Sequence, residues 1–259
     1  MKALLTTDGS TESLEAINRY CQLLPKGVRE HVVVTVDEFQ AYGIIDSVDK
    51  EEMDRLQHHH CQLHLQKAKE VLEKYGVQAQ YLERAGQAAS TLLDCADEQG
   101  VGMIVIGARG AGALTRVLLG STSDSVVSHS KVSVWVVRPM DTDVNTKSPH
   151  ITLCLDGSEA SKHSVEFLKK LQLPSHAKLS LVAYVRRPEN LPDEIVYDAK
   201  ELATLRKELE SIKRELLLSQ VFGSHPTSDQ IECTVAEKVH VGHAIVDHTA
   251  RHHSSLVLV

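Results

Sequence analysis

Along the chain, short apolar bursts alternate with longer amphipathic stretches. Lys2–Thr6 is an apolar strand candidate, and Ser10–Leu24 follows at helical spacing, with Leu14, Ile17, Cys21 and Leu24 on one side, before Pro25 and Gly27 stop it. Ser10 is the natural N-cap of that helix. The β-branched run His31–Val36 is almost continuously apolar, as in a strand buried on both faces. The pattern then predicts a long charged helix over Asp49–Tyr75, a weaker strand at Gln78–Glu83 and a helix at Gln87–Gln99. A strand at Met103–Ile106 follows. A glycine-rich connection over Gly107–Leu119 comes next, with Leu114–Leu119 as a possible helical stretch, then a helix at Gly120–His129 and a last strand at Val132–Val137. Strict alternation of strand and helix implies right-handed parallel crossovers and an open α/β sheet covered on both faces. Such sheets bind ligands beyond the carboxyl ends of their strands, where strand order reverses. Residues 6–9 and 107–121 are expected to meet there.

The order then begins again. His150–Leu155 reads as a strand, and Asp156-Gly157-Ser158 repeats Asp8-Gly9-Ser10. A helix at Glu159–Leu171, a strand at Lys178–Tyr184, a long helix at Asp193–Phe222 and a strand at Ile231–Ala236 complete the parallel. Leu92-Leu93-Asp94 through Ile106 aligns without a gap to Ile245-Val246-Asp247 through Val259. The second copy therefore stops one residue before the position of Gly107. The expected organisation is two tandem open parallel-sheet domains of Rossmann-like, HUP type: 1–140, a polar linker at 141–149, and 150–259, truncated after its fourth strand. Its last strand, Leu256–Val259, is expected to lack the neighbour that a fifth strand would provide.

Composition narrows the classes. The 259 residues are 42% hydrophobic and 24% charged, with a net charge of −7. That is an ordinary globular balance with no polybasic half, so nucleic acid is not an expected partner. No apolar run approaches the ~18–20 residues of a membrane span, and the N-terminal apolar stretch is too short for a signal peptide. Five scattered cysteines without a C-x-x-C pair read as reduced thiols of a cytoplasmic protein.

The most informative chemistry is Gly107-Ala108-Arg109-Gly110, nine residues, then Gly120-Ser121-Thr122. Gly107 and Gly110 follow a buried strand, allow close backbone approach and adopt φ angles denied to other residues. A helix opening at Gly120 offers unpaired N–H groups and a positive dipole end to phosphate, Ser121 and Thr122 add hydroxyls, and Arg109 adds charge. No lysine lies between Gly107 and Gly120, so this is no Walker loop, nor is it the G-x-G-x-x-G of dinucleotide sites.

The spacing G-x2-G-x9-G-[ST], met by Gly107, Gly110, Gly120 and Ser121, resembles the signature of the universal stress protein family in its ATP-binding subclass. Thr7-Asp8-Gly9-Ser10 after the first strand adds to the likeness. The resemblance covers nearly all of residues 1–139 and, more weakly, 150–259. It implies that Thr6, Thr7 and Asp8 surround adenine and ribose and that Val36 meets the base. Ile106 and Gly107 would flank ribose and phosphates, and Gly110, Gly120, Ser121 and Thr122 would hold the phosphates, with Arg109 beside them. ATP would carry Mg or Mn on its triphosphate. A homo-oligomer joined through the fifth strand, or an intrachain pseudo-dimer, is implied in the same way. Asp8 also has a bland role, capping the helix together with Ser10.

Other features carry less. His60 and His64 share a helix face within the run His58-His59-His60-Cys61, but no local set completes a metal site, and an exposed polar face is the favoured reading. There is no G-x-S-x-G nucleophile elbow and no expected catalytic residue. Three functions stay open: an ATP-binding regulatory module in stress response without fast turnover, a slow ATPase or adenylyl-transfer enzyme on the same site, and a scaffold without nucleotide.

Overall fold

A computed structural model describes residues 1–23, 27–38, 50–108, 119–138, 148–192, 195–219, 221–223 and 226–259. The chain divides into two compact units, the first built on Met1–Leu24 and Val28–Asp141, the second on Thr142–Val259.

In the first unit the elements run β1 (Lys2–Thr6), α1 (Thr11–Gln22), β2 (Glu30–Asp37), α2 (Lys50–Glu73), β3 (Gln80–Ala85), α3 (Ala88–Gln99), β4 (Met103–Gly107), α4 (Ser121–His129) and β5 (Ser133–Val137). All strand pairs are parallel, in the order β3-β2-β1-β4-β5. Central β1 pairs Leu4 with Val32 on one side and with Ile104 on the other. Strand order therefore reverses between β1 and β4. Alternate residues serve opposite faces. Leu4, Val32, Val34, Ile104 and Ile106 pack with Leu92, Cys95 and Val126 of α3 and α4. On α1, Tyr20 is fully buried, donates to or accepts from His31 Nε2 at 2.9 Å, and meets Trp135 of β5 edge-on at 5.7 Å between ring centroids.

Element boundaries follow local chemistry. The Ser10 hydroxyl accepts from Ser13 N at 3.2 Å, so α1 begins at Thr11; such a cap contributes about 1 kcal/mol. Gly100, at φ +60°, closes α3 in the left-handed conformation that favours glycine. The expected strand at Gln78–Glu83 lies two residues further on as β3, because its register is set by pairing Val32 with Gln80 through Asp37 with Ala85. Leu114–Leu119, read as a possible helix, falls almost wholly outside the described residues.

The second unit repeats the plan with β6 (His150–Cys154), α5 (Glu159–Leu171), β7 (Lys178–Arg186), α6 (Ala199–Leu218), β8 (Ile231–Lys238), α7 (Val241–Arg251) and β9 (Leu256–Leu258). Its four parallel strands are ordered β8-β7-β6-β9, the order of the first four strands of the other sheet. Among the described residues β9 pairs with β6 alone, and Val257 is 38% exposed. The fold class is thus as expected, two parallel α/β sheets of five and four strands. The helix expected over Asp193–Phe222 is shorter. Asp198 caps α6 through Glu201 N at 2.8 Å, while Glu237 of β8 takes the N–H groups of Tyr197 and Asp198 at 2.9 and 2.6 Å. Those backbone donors are committed before the helix begins. Leu202, Leu205, Leu209, Ile212 and Leu216 form the expected buried stripe.

Histidines gather at one corner of this unit. His150 Nε2 lies 2.8 Å from Ser180 Oγ, the His150 and His252 rings are 5.0 Å apart, and His248 stacks on His252 at 4.3 Å. His248 is 2% exposed and its Nε2 has no hydrogen-bond partner among the described residues. Burial, then His252, His248 and Lys178, push His150 down to about 4 against the pull of Glu232; burial and His252 also lower His248. Both histidines are neutral when folded, whereas the unfolded chain takes up their protons as pH falls below about 6.5. Stability therefore falls on acidification across the window from about 6.5 to about 4. Calorimetric unfolding of the full chain should show a transition that moves down by several °C, on the order of 1–2 kcal/mol, between pH 7 and pH 5. His248→Leu should hold stability within about 1 kcal/mol at pH 7, since it removes a buried unpaired nitrogen, and should reduce the acid shift.

Candidate functional site

The candidate site is the carboxyl edge of the first sheet, around the β1–β4 reversal. Two chain turns meet this edge from the strands that flank it. After β1, Thr7 N donates to Val34 O at 3.0 Å, holding the outgoing turn against β2. Gly9 takes φ +72°, its N–H donates to Thr7 Oγ1 at 3.1 Å, and Asp8 Oδ1 accepts from Ser10 N at 3.0 Å and from the Ser10 hydroxyl. Thr7 Oγ1 also lies 3.1 Å from Ser13 Oγ. After β4, Ala108 N donates to Val137 O at 2.7 Å and Gly120 N to Ala108 O at 2.8 Å, so the start of α4 is tied to the strand end. Ser123, nearly fully buried, donates to Ala108 O at 2.8 Å and secures the same junction.

The residues singled out in the sequence have distinct placements here. Thr6 is buried and its hydroxyl donates to Val105 O at 3.2 Å, so its side chain serves the strand junction. Thr7 is buried in the turn network. Asp8 is exposed at the edge, and its carboxylate organises Ser10. Val36, partly buried, sits near the end of β2 and packs toward α3. Ile106 is buried and Gly107 ends β4, paired with Val137. Gly107 is extended strand, so close approach, not an unusual φ, is what a glycine offers there. Gly120 caps α4 at φ −71°, again an ordinary angle, and makes no side-chain cap bond. Ser121 is exposed and Thr122 half-buried at the first turn, beside Asp124. Among the described residues no side chain caps this helix start, and leading helix N–H groups are the property an anion site uses. Arg109 and Gly110 lie outside the described residues.

One neighbour of this edge corrects the sequence reading. His64 of α2 does not lie on an exposed polar face. It is half-buried, its Nδ1 is 3.3 Å from Thr35 Oγ1 of β2, and a Cβ added at Gly9 would come within 2.1 Å of its Cδ2. His60 stands edge-on to it at 4.1 Å. Burial lowers the His64 proton affinity, His60 and Lys67 lower it further, and Asp8 opposes them. The available signal was the i, i+4 pair His60 and His64, but the partner across the groove, Gly9, is 55 residues away in sequence. Glu38, which accepts from Ala88 N at 2.9 Å and caps α3 next to the same edge, was likewise not singled out. Among the described residues no group of three or more His, Cys, Asp or Glu side chains is placed to hold a metal ion, and no helix is long and apolar enough to cross a membrane.

Comparison with known proteins gives a family match. A family model described as the universal stress protein family matches residues 1–138. A universal stress protein of Mycolicibacterium smegmatis is 39% identical over 90 residues, 35% of this chain; the chain spans only 30% of that relative's length. The crystal structure of a universal stress protein from Archaeoglobus fulgidus overlays 99% of this chain and 85% of its own at a TM-score of 0.71 and 20% identity, a likeness of fold. A family structure in complex with cAMP overlays 53% of this chain and 96% of its own at 23% identity and a TM-score of 0.42.

The turn makes a stability prediction. Gly9→Ala should destabilise the protein by about 1–2 kcal/mol, through the positive φ and the displacement of His64. Gly157→Ala in the second unit, at φ +76° but with no atom nearer than 3.4 Å to the added carbon, should cost less. Denaturant unfolding of the two variants measures the difference.

Proposed function

Because the chain belongs to the universal stress protein family, we propose that its first domain binds ATP, with Mg or Mn on the triphosphate, as a regulatory module in stress response without fast turnover. The observation that carries this is the start of α4, at Gly120-Ser121-Thr122, without a side-chain cap among the described residues and tied to the end of β4 at a point where strand order reverses. Helix N–H groups at such a crevice favour a phosphate chain, and the exposed Asp8 on the other flank suits a ribose hydroxyl or an adenine amino group. Val36 supplies apolar surface beside it, the buried Ile106 borders it through its main chain, and Arg109 and Gly110 complete the loop in this reading. The metal arrives on the triphosphate, where a hard cation finds its oxygens.

The organisation proposed with this function is a nucleotide domain at 1–140, a linker at 141–149 and a second copy at 150–259. That copy keeps Asp156-Gly157-Ser158, with Asp156 Oδ1 accepting from Ser158 N at 2.9 Å. Nucleotide occupancy would act by favouring one conformation or assembly over another, which requires no chemistry. Assembly through β5, the edge strand of the first sheet, is part of the proposal.

Calorimetric titration of the full chain with MgATP is expected to show saturable binding. A nucleotide at 100 times its Kd adds about 2.7 kcal/mol and should raise the unfolding temperature visibly. The double variant Gly120→Asp, Ser121→Glu should weaken MgATP at least tenfold, because it sets two carboxylates where the phosphates would lie. Unchanged affinity in that variant overturns the site. Steady-state hydrolysis well above ~0.1 s⁻¹ would instead favour an enzyme, since enzymes run at ~1–1,000 s⁻¹.

A further inference from the structure

The Asp-Gly-Ser turn occurs in both units with nearly the same backbone: Gly9 at φ +72° and Gly157 at φ +76°, each preceded by an aspartate whose Oδ1 accepts from the following serine N–H. What faces the turn differs. In the first unit α2, the helix after the second strand, presents His64, whose Cδ2 and Nε2 would lie 2.1 and 2.7 Å from a carbon added at Gly9. In the second unit the corresponding helix, α6, presents Glu208 Oε2 and Leu205 Cδ2 at 3.4 and 3.8 Å from a carbon added at Gly157. One turn is overlooked by an imidazole, the other by a carboxylate. The imidazole is also anchored, through Nδ1 and Thr35 Oγ1, so that its Cδ2–Nε2 edge is turned to Gly9 and the Asp8 flank.

We propose that His64 is a contact residue of the nucleotide site, held by α2 between Gly9 and Thr35 to meet an anionic ligand, and that Glu208 at the equivalent place makes the second turn repellent to the same ligand. This deepens the ATP-binding reading above and rests on it. The groups that set the charge of His64 are His60 and Lys67 on α2, which disfavour its proton, and Asp8 across the groove, which favours it. Burial is the largest influence, so the imidazole is neutral near pH 7 in the free protein. A triphosphate held at the start of α4 adds negative charge to the same edge, and its field favours a proton on the ring. Binding is then accompanied by proton uptake and tightens as pH falls from 8 to 6.

The test is calorimetric titration of the full chain with MgATP, for the wild type, His64→Gln and His64→Glu, with circular dichroism confirming that each is folded. Glutamine keeps a polar group of similar reach without titrating; glutamate reproduces the second unit. His64→Gln is expected to bind within about threefold of wild type at pH 8 and to lose most of the tightening between pH 8 and pH 6. His64→Glu is expected to bind at least tenfold more weakly than His64→Gln at pH 7. Equal affinities of the two variants, or a pH dependence in His64→Gln as steep as in wild type, overturn the proposal and leave ATP binding standing. A wild type that takes up no MgATP overturns the function itself and this inference with it.

Discussion

The parallel pairing of β1 with β2 on one side and β4 on the other is the constraint on which the rest of the first unit depends. A strand with partners on both sides and apolar faces above and below cannot shift register without exposing its core. Its end point is therefore fixed, and so are the turn that leaves it and the strand end beside it. Thr6, whose hydroxyl reaches across to Val105 O, and Thr7, whose N–H is held by Val34 O, lock that end to both neighbours.

Much of this was legible in the sequence, because β-branched runs, Ser10, Gly100 and the repeated Asp-Gly-Ser carry their structural roles locally. Alternation of elements implies a parallel sheet, whereas the strand order β3-β2-β1-β4-β5 is set by non-local pairing. What escaped was non-local. The registry of β3 depends on its partner β2, the start of α6 on the reach of Glu237, and the role of His64 on a turn far away in sequence. The glycines of the loop were legible as places for close approach, but Gly107 and Gly120 have ordinary backbone angles, which no spacing rule distinguishes from the strained case. A histidine run is a poor guide because each member meets a different environment: His58 pairs with Glu83 at 2.8 Å on the surface, and His64 is half-buried against β2.

The two units show how one plan serves different ends. The serine caps, the aspartates that brace them and the positive-φ glycines are the same, since they solve the same problem of leaving a buried strand and entering a helix. The surroundings differ: histidine against carboxylate over the turn, and a histidine corner found in the second unit at His150, His252 and the buried His248. Retained turns and altered neighbours are what is expected when backbone geometry is required for folding and side-chain chemistry is free to change with use.

The placement of Trp135 has a practical consequence. It is the single tryptophan of the chain, and it lies on β5 against Tyr20 of α1. Indole emission thereby reports from the first unit: its wavelength follows solvent entry between that edge strand and helix. Excitation at the red edge of the spectrum would isolate one half of a two-part molecule without any label.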